Sequence, residues 1–252
     1  AMNAAYFVSG QITMGTSVYY QNLVGDRFVR ISRFPNIMDL DYLFNGWILG
    51  EKPLNLDLLS KSKTELCICT TKMSDGTPRY FGNRGPELRS VIPALKASCS
   101  TPLFTRNVES IDGELYGDGL INDAIPLDRA LDAGCTDLVL LLTRTSGYKK
   151  SIGFTERLLG WLQTRHLSNA YRAMFLTQGT RYNALLDRIS AGQVSCESLL
   201  VLRPTQEGMI QNGEARPDRV RHAARCGLSV VARTFKSSPD KLRLYDEVAI
   251  GS

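Results

Sequence analysis

Apolar and polar positions along the chain alternate between two periods, one typical of helices and one typical of strands. Residues 1–8 combine helix formers and small side chains without a capping residue, which predicts a helix entered part-way. Apolar and aromatic side chains at helical spacing continue through residues 16–30 and 39–49, with Pro35 marking a break between them. The first fifty residues therefore predict mostly helix and loop.

A β-hairpin is the first predicted sheet element. Residues 64–71 form a β-branched and apolar run, Asp75-Gly76 supplies a turn signal, and residues 79–81 resume the strand pattern. Asp-Gly readily adopts the positive φ angles that tight turns need. Residues 87–98 then carry apolar side chains at three- and four-residue intervals, which predicts a helix.

The second half of the chain alternates helix and strand patterns. Pro126 opens a predicted helix and Gly134 closes it, and the apolar run at residues 137–142 is typical of a strand buried on both faces. Further segments complete the alternation: helices at residues 154–166, 169–191 and 219–235, and a strand at residues 199–202. The pattern predicts an α/β fold with a mainly parallel central sheet.

Composition adds limits on size and location. With 252 residues and 43% hydrophobic side chains, the chain can bury one sizeable core, so we predict a single domain over residues 1–252. Its apolar runs are far shorter than the ~20 residues of a membrane-spanning helix. Six cysteines form no Cys-x-x-Cys pair and lie mostly in apolar runs, which favours buried free thiols and a cytoplasmic location.

Few side chains suggest a metal, a cofactor or a charged partner. The two histidines are His166 and His222, and we predict neither a metal site nor a cofactor. Late arginines favour a solvated helix face, with peripheral docking on an anionic membrane as the alternative. Nucleic acid is not predicted as a partner, because no aromatic residues interleave with these arginines, which are Arg216, Arg219, Arg221, Arg225 and Arg233.

Residues 115–127 carry the most informative chemistry. The Asp118-Gly119 pair, followed by Asn122, Asp123 and a proline, holds a carboxylate on a tight loop before a helix. Taken alone, an Asp-Gly pair is usually a turn. The neighbouring carboxylate of Asp123 precedes the helix start, and we predict a turn or capping role for it.

Taken together, several segments resemble the patatin-like phospholipases in order and spacing. The Asp118 stretch is similar to the family's aspartate block, and residues 94–104 resemble the helix end that precedes it. Residues 1–5 resemble what directly follows the family's Gly-x-Ser-x-Gly nucleophile turn. Residues 181–183 and 202–204 are similar to the C-terminal part of a bacterial branch, so the resemblance spans nearly the whole chain.

The resemblance implies a three-layer α/β/α fold with a mainly parallel central sheet and a serine–aspartate dyad that hydrolyses lipid acyl esters. In such a dyad a serine attacks the ester carbonyl, an aspartate takes its proton, and backbone amides stabilise the oxyanion. Asp118 is implied as the general base, on a catalytic loop with Gly117, Gly119 and Leu120. The two histidines are expected to be surface or packing residues.

Two departures from the family's pattern modify this expectation. The third loop position is normally glycine or alanine, and here it is Leu120. Leucine tolerates positive φ poorly, which would distort the loop. Alternatively, Leu120 takes ordinary backbone angles and its side chain lines an acyl pocket. Neither a Gly-x-Ser-x-Gly turn nor a glycine-rich oxyanion loop occurs in the 252 residues. We therefore expect the natural chain to begin upstream of Ala1 with further strands, which leaves secretion open, and we expect residues 1–252 to be inactive alone. The alternative is a non-catalytic patatin-like binding or membrane-associated module.

Overall fold

Two separate sheets form the β structure of the chain. The computed structural model describes residues 1–34, 36–102, 104–105, 108–151, 153–210 and 213–236. Its strands are β1 (Cys67–Lys72), β2 (Pro78–Gly82), β3 (Glu109–Ile111), β4 (Glu114–Asp118), β5 (Asp137–Leu141) and β6 (Ser198–Leu202). The first four form an antiparallel sheet in the order β2-β1-β4-β3, and β5 pairs with β6 in parallel.

Helices surround both sheets. The α-helices of the described ranges are α1 (Met2–Val8), α2 (Ile12–Ser17), α3 (Leu56–Lys61), α4 (Val91–Ala97), α5 (Leu127–Asp132), α6 (Phe154–Thr164), α7 (Asn169–Ser190) and α8 (Pro217–Thr234). Val18–Asn22 and Tyr42–Glu51 are π-helical, and Ile31–Arg33, Gly85–Ser90 and Gly119–Ile121 are 3₁₀ turns. Pro35, the predicted break, lies outside the described residues.

The predicted hairpin is confirmed, and a second hairpin was missed. In the first, Gly76 has φ +74° and the Thr77 amide donates to the Asp75 carboxylate at 2.9 Å, which closes the turn between β1 and β2. In the second, Asp112 and Gly113 have φ of 50° and 83°, as a tight β3–β4 turn requires. The same Asp-Gly signal was present there, but a three-residue β3 is too short to show alternation.

The mixed α/β class is confirmed, but the larger sheet is antiparallel rather than parallel. Residues 137–142 do form a strand in a parallel pair, as predicted. The predicted burial on both faces is wrong, because Val139 is 57% and Leu141 73% exposed. Leu138 packs instead on one face, in a cluster with Leu127 of α5 and Leu186 of α7. One face of the parallel pair is therefore covered, and Val139 and Leu141 are exposed on the other.

Helix α7 connects the two sheets through its buried side chains. Near its start, Tyr171 and Phe175 pack with Met73 and Ile121 beside the antiparallel sheet. Two turns or more further on, Leu186 packs against the parallel pair. The largest core cluster lies between the N-terminal helices, α4 and the antiparallel sheet. The end of β4, where Asp118 lies, is thus close to both the main core and α7.

Two further expectations concern thiols and membranes. All six cysteines are free, as predicted. Cys69 is buried and Cys99, Cys196 and Cys226 are half-buried, whereas the predicted burial is wrong for the exposed Cys67 and Cys135. Within the described ranges, no helix combines the length and apolar character needed to cross a bilayer.

Candidate functional site

Asp118 is the last residue of β4, and its backbone is fixed from two sides. It lies opposite Thr70 of β1, and the Thr71 hydroxyl donates to the Asp118 carbonyl at 2.7 Å. On the other side, the Asp118 amide donates to the carbonyl of Ser100 at 3.3 Å. The residue predicted to lie on a loop is therefore held at a strand end, which limits the movement of its side chain.

The carboxylate of Asp118 is buried and accepts two hydrogen bonds. One oxygen accepts from the Thr101 hydroxyl, and the other accepts from the Leu120 amide at 2.8 Å, which caps the 3₁₀ turn Gly119–Ile121. Burial raises the pKa of Asp118 above its usual value, and these two hydrogen bonds act in the opposite direction. The result is a fixed carboxyl group that holds its proton more tightly than an exposed aspartate does.

Both glycines beside Asp118 are required by close contacts. A Cβ on Gly119 would lie 2.4 Å from the carbonyl oxygen of Cys69, and a Cβ on Gly117 would lie 2.6 Å from the Tyr171 hydroxyl. Neither glycine has positive φ. Gly117 and Gly119 therefore serve close packing rather than an unusual backbone conformation.

Leu120 takes ordinary backbone angles, which favours the second of the two predictions made for it. It lies inside a 3₁₀ turn, is half-buried, and does not have positive φ. The distortion expected from a bulky residue at a left-handed position does not arise. Its predicted role in lining an acyl pocket stays a prediction, and a cavity of about 410 Å³ near the site is lined by Ser100, Met73 and the end of α6 rather than by Leu120.

Two further polar side chains lie near Asp118 that the sequence did not indicate. The charge of Lys150 lowers the pKa of Asp118, while burial lowers that of Lys150 itself, whose ammonium group donates to Gln178 at 2.9 Å. Tyr171 is fully buried, and its hydroxyl has no hydrogen-bond partner among the described residues. Both come from distant parts of the chain, so no local motif could have revealed them.

The start of the chain also lies close to the carboxylate. The positive charge of the amino group of Ala1 lowers the pKa of Asp118 and that of Cys99, although burial raises the latter to about 11 overall. Helix α1 follows directly, with Met2, Ala5, Tyr6 and Val8 buried in the main core. The amino end of residues 1–5 and the Asp118 carboxylate, which belong to two stretches that resemble the same family, are therefore close in space.

Asp123 does not cap the following helix, so of the two roles predicted for it the structure shows the turn. Helix α5 has Pro126 at its N-cap and no side-chain cap. The Asp123 amide closes a turn by donating to the Gly119 carbonyl at 2.8 Å, as predicted, while its carboxylate accepts from the Tyr80 hydroxyl at 2.5 Å. The two neighbouring carboxylates therefore have different partners.

Neither histidine is among the hydrogen-bond partners of the Asp118 carboxylate in the described part of the chain. His166 is exposed and lines the 410 Å³ cavity. His222 lies on α8, where it meets Cys226 and Glu207 in a group whose ligand atoms could hold a metal ion. This group was not predicted, although Cys226 stands four residues after His222 on a predicted helix, which is the spacing that brings two ligands together.

Comparison with known proteins leaves the family open. The chain matches no protein-family model. It is 28% identical over 168 residues to the uncharacterized protein YjjU of Escherichia coli (strain K12), and the aligned part covers 64% of this chain and 46% of YjjU. The chain thus spans about half the length of this relative. The similarity gives a distant relative but neither an activity nor a substrate.

Proposed function

We propose that this chain carries the aspartate half of a patatin-like serine acyl hydrolase, which acts on acyl esters of lipids with Asp118 as general base. The observation that carries the proposal is the state of Asp118: buried, held by two hydrogen bonds, and with its pKa raised by burial. A general base must lie within hydrogen-bond reach of the proton it takes, and its pKa should approach the working pH. The pKa of Asp118 is shifted in the direction that the second requirement asks for, and the two hydrogen bonds hold the carboxyl group in a fixed position.

The position of Ala1 gives the proposal a second support. Its amino group is close enough to Asp118 to alter the pKa of the carboxyl group. Any residue joined to Ala1 in a longer chain would therefore begin within the surroundings of this carboxylate. In hydrolases that use a nucleophile turn, the serine stands directly before a helix. We infer that a Gly-x-Ser-x-Gly turn directly before α1 would hold its serine near the Asp118 carboxylate.

The three-layer fold with a mainly parallel sheet is part of the same proposal. Its support is the parallel pair β5–β6, which has helices on one face and leaves Val139 and Leu141 exposed on the other. Strands in a parallel sheet are normally covered on both faces. Additional strands and helices of a longer chain would cover these side chains, as the family resemblance implies.

The direct test uses the coding sequence immediately upstream of Ala1. We expect a Gly-x-Ser-x-Gly motif there, and we expect a fluorophosphonate probe to label that serine in the protein expressed with it. Replacing that serine with alanine should abolish the labelling. Serines outside the motif should not be labelled in either protein. A natural start codon with no such motif, or a motif serine that never reacts, would contradict the proposal.

A non-catalytic patatin-like module is the second candidate, and one observation favours it. Both oxygens of Asp118 are already engaged within the described chain, by Thr101 and by the capped 3₁₀ turn. A carboxylate used in this way stabilises the fold without any substrate. This candidate predicts that Asp118→Asn lowers the free energy of unfolding and that the upstream-extended protein hydrolyses no ester.

A further inference from the structure

We propose that Glu207, His222 and Cys226 form a binding site for a single transition-metal ion, with Zn²⁺ as the best fit. His222 and Cys226 lie on α8, and Glu207 lies on the turn at residues 205–208 earlier in the chain. One ligand atom from each lies within 4.8 Å of the others. The site is independent of the proposed hydrolase function.

The two distances from His222 to the other ligands are close to those of a tetrahedral site, and the third ligand pair lies within 4.8 Å. His222 Nε2 lies 3.5 Å from Cys226 Sγ and 3.7 Å from Glu207 Oε1. With Zn–N near 2.05 Å and Zn–S near 2.3 Å, tetrahedral geometry places the nitrogen and sulfur about 3.5 Å apart, and a nitrogen and an oxygen about 3.4 Å apart. The first distance agrees as it stands, and the second needs only a small shift of an exposed carboxylate.

The local fold brings the third ligand to the helix. His222 and Cys226 are one turn apart on α8, so their side chains share a face. Gly208 lies against this face, and a Cβ there would be 2.7 Å from the Cβ of Cys226. The Gly208 amide also donates to the Thr205 carbonyl at 3.1 Å, which closes the turn that carries Glu207. The close approach of Gly208 thus holds Glu207 beside the two helical ligands.

The ligand set favours zinc over magnesium or calcium. Thiolate and imidazole suit Zn²⁺, whereas the two hard cations require oxygen ligands almost throughout. The side chains of His222 and Glu207 are 54% and 76% exposed, so water can take the fourth position. Binding would convert the Cys226 thiol to a thiolate and release its proton to solvent.

The test is titration of the purified chain with Zn²⁺ alone, monitored by isothermal titration calorimetry. A parallel titration with Co²⁺ in place of Zn²⁺ is monitored by the thiolate-to-metal absorption band. We expect one equivalent to bind and Mg²⁺ not to compete. Cys226→Ser, His222→Ala and Glu207→Gln should each weaken zinc binding at least roughly tenfold, and Cys226→Ser should remove the cobalt–thiolate band.

Two variants provide matched controls. Cys135→Ser and His166→Ala each remove an exposed residue of the same type elsewhere in the chain, and both should leave zinc binding unchanged. Far-ultraviolet circular dichroism checks that every variant keeps its helix content. Failure to bind one equivalent, or equal losses in ligand and control variants, would overturn the proposal. In that case the contact is only a thiol–imidazole hydrogen bond with an exposed ion pair.

Discussion

Asp118 and its glycine neighbours show how strongly single residues determine this site. The carboxylate is engaged by a hydroxyl and an amide, while Gly117 and Gly119 allow Tyr171 and Cys69 to approach. The sequence indicated that the Asp-Gly stretch mattered. It could not show that the glycines are needed for packing, because the atoms they contact come from other strands and from α7.

Gly119→Ala should destabilise the protein strongly. The new methyl group would lie 2.4 Å from the Cys69 carbonyl oxygen and 2.7 Å from its carbon, and backbone atoms cannot turn away as a side-chain end can. We expect a loss of about 1–3 kcal/mol in the free energy of unfolding, or more, measured by urea denaturation. Gly227→Ala is the control: it has open space within α8, so it should gain about 0.5–1 kcal/mol. Equal effects from the two substitutions would contradict this account of the loop.

The raised pKa of Asp118 predicts a pH-dependent contribution to stability. A carboxyl whose native pKa exceeds its unfolded value of about 3.9 binds its proton more tightly when folded. The free energy of unfolding should therefore fall as pH rises from about 3.9 through the native pKa, and the loss should be complete above it.

Comparison with Asp118→Asn isolates this contribution. The stability difference, wild type minus variant, should decrease with rising pH in urea denaturations that start near the unfolded pKa of about 3.9 and continue upward until the difference is constant. Asp137→Asn serves as the contrasting variant, because hydrogen bonds from Ser198 and Thr136 lower the pKa of Asp137. The difference in the free energy of unfolding between wild type and Asp137→Asn should instead increase with pH, at the acid end of the range. A pH-independent difference for Asp118→Asn would show that burial does not control its protonation.

Helices and strands differ in how well the sequence predicted them. Helices α6, α7 and α8 were predicted within about three residues, because long amphipathic patterns give a repeated signal. The parallel pairing of β5 and β6 also followed from their apolar runs. The antiparallel pairing of β4 with β1 did not, since it depends on contacts between residues far apart in sequence.

The packing of α6 on α7 depends on one glycine that the helical pattern did not single out. A Cβ on Gly160 would lie 2.1 Å from the ring of Phe175. We expect Gly160→Ala to cost about 1–3 kcal/mol despite the better helix propensity of alanine, as measured by thermal or urea unfolding. Adding Phe175→Leu should recover part of the loss, because it removes the clashing ring. If the double variant loses more free energy of unfolding than the two single variants lose together, this contact is not the cause.

At the scale of the whole molecule, charge and exposed apolar surface are unevenly distributed. Arg216, Arg219, Arg221, Arg225 and Arg233 are all exposed on or beside α8. Among the exposed apolar side chains, Phe154 and Trp161 lie on α6 and Leu141 lies on β5. Net charge could be counted from the sequence, but only the fold shows which of these side chains are exposed.

The arginines of α8 predict salt-sensitive binding to anionic membranes. Each basic side chain near an anionic surface contributes about 1 kcal/mol, so neutralising Arg219, Arg221 and Arg225 should weaken binding about a hundredfold. Liposome co-sedimentation with phosphatidylserine vesicles at low and high salt measures this, with phosphatidylcholine vesicles for comparison. Neutralising three exposed basic residues elsewhere, Lys63, Arg157 and Arg165, is the control and should have little effect. Equal binding to both vesicle types would contradict membrane docking through α8.

The proposed role of Asp118 as the base of an acyl hydrolase is tested most directly by one kinetic comparison. The protein extended upstream of Ala1 is assayed for ester hydrolysis beside its Asp118→Asn and Asp123→Asn variants. Because general-base catalysis contributes roughly 10²–10⁴-fold, Asp118→Asn should reduce kcat/KM at least about a hundredfold. Asp123→Asn, which alters a carboxylate bound to Tyr80, should change it only a few-fold. Full activity in Asp118→Asn, or a larger loss in Asp123→Asn, would contradict the assignment.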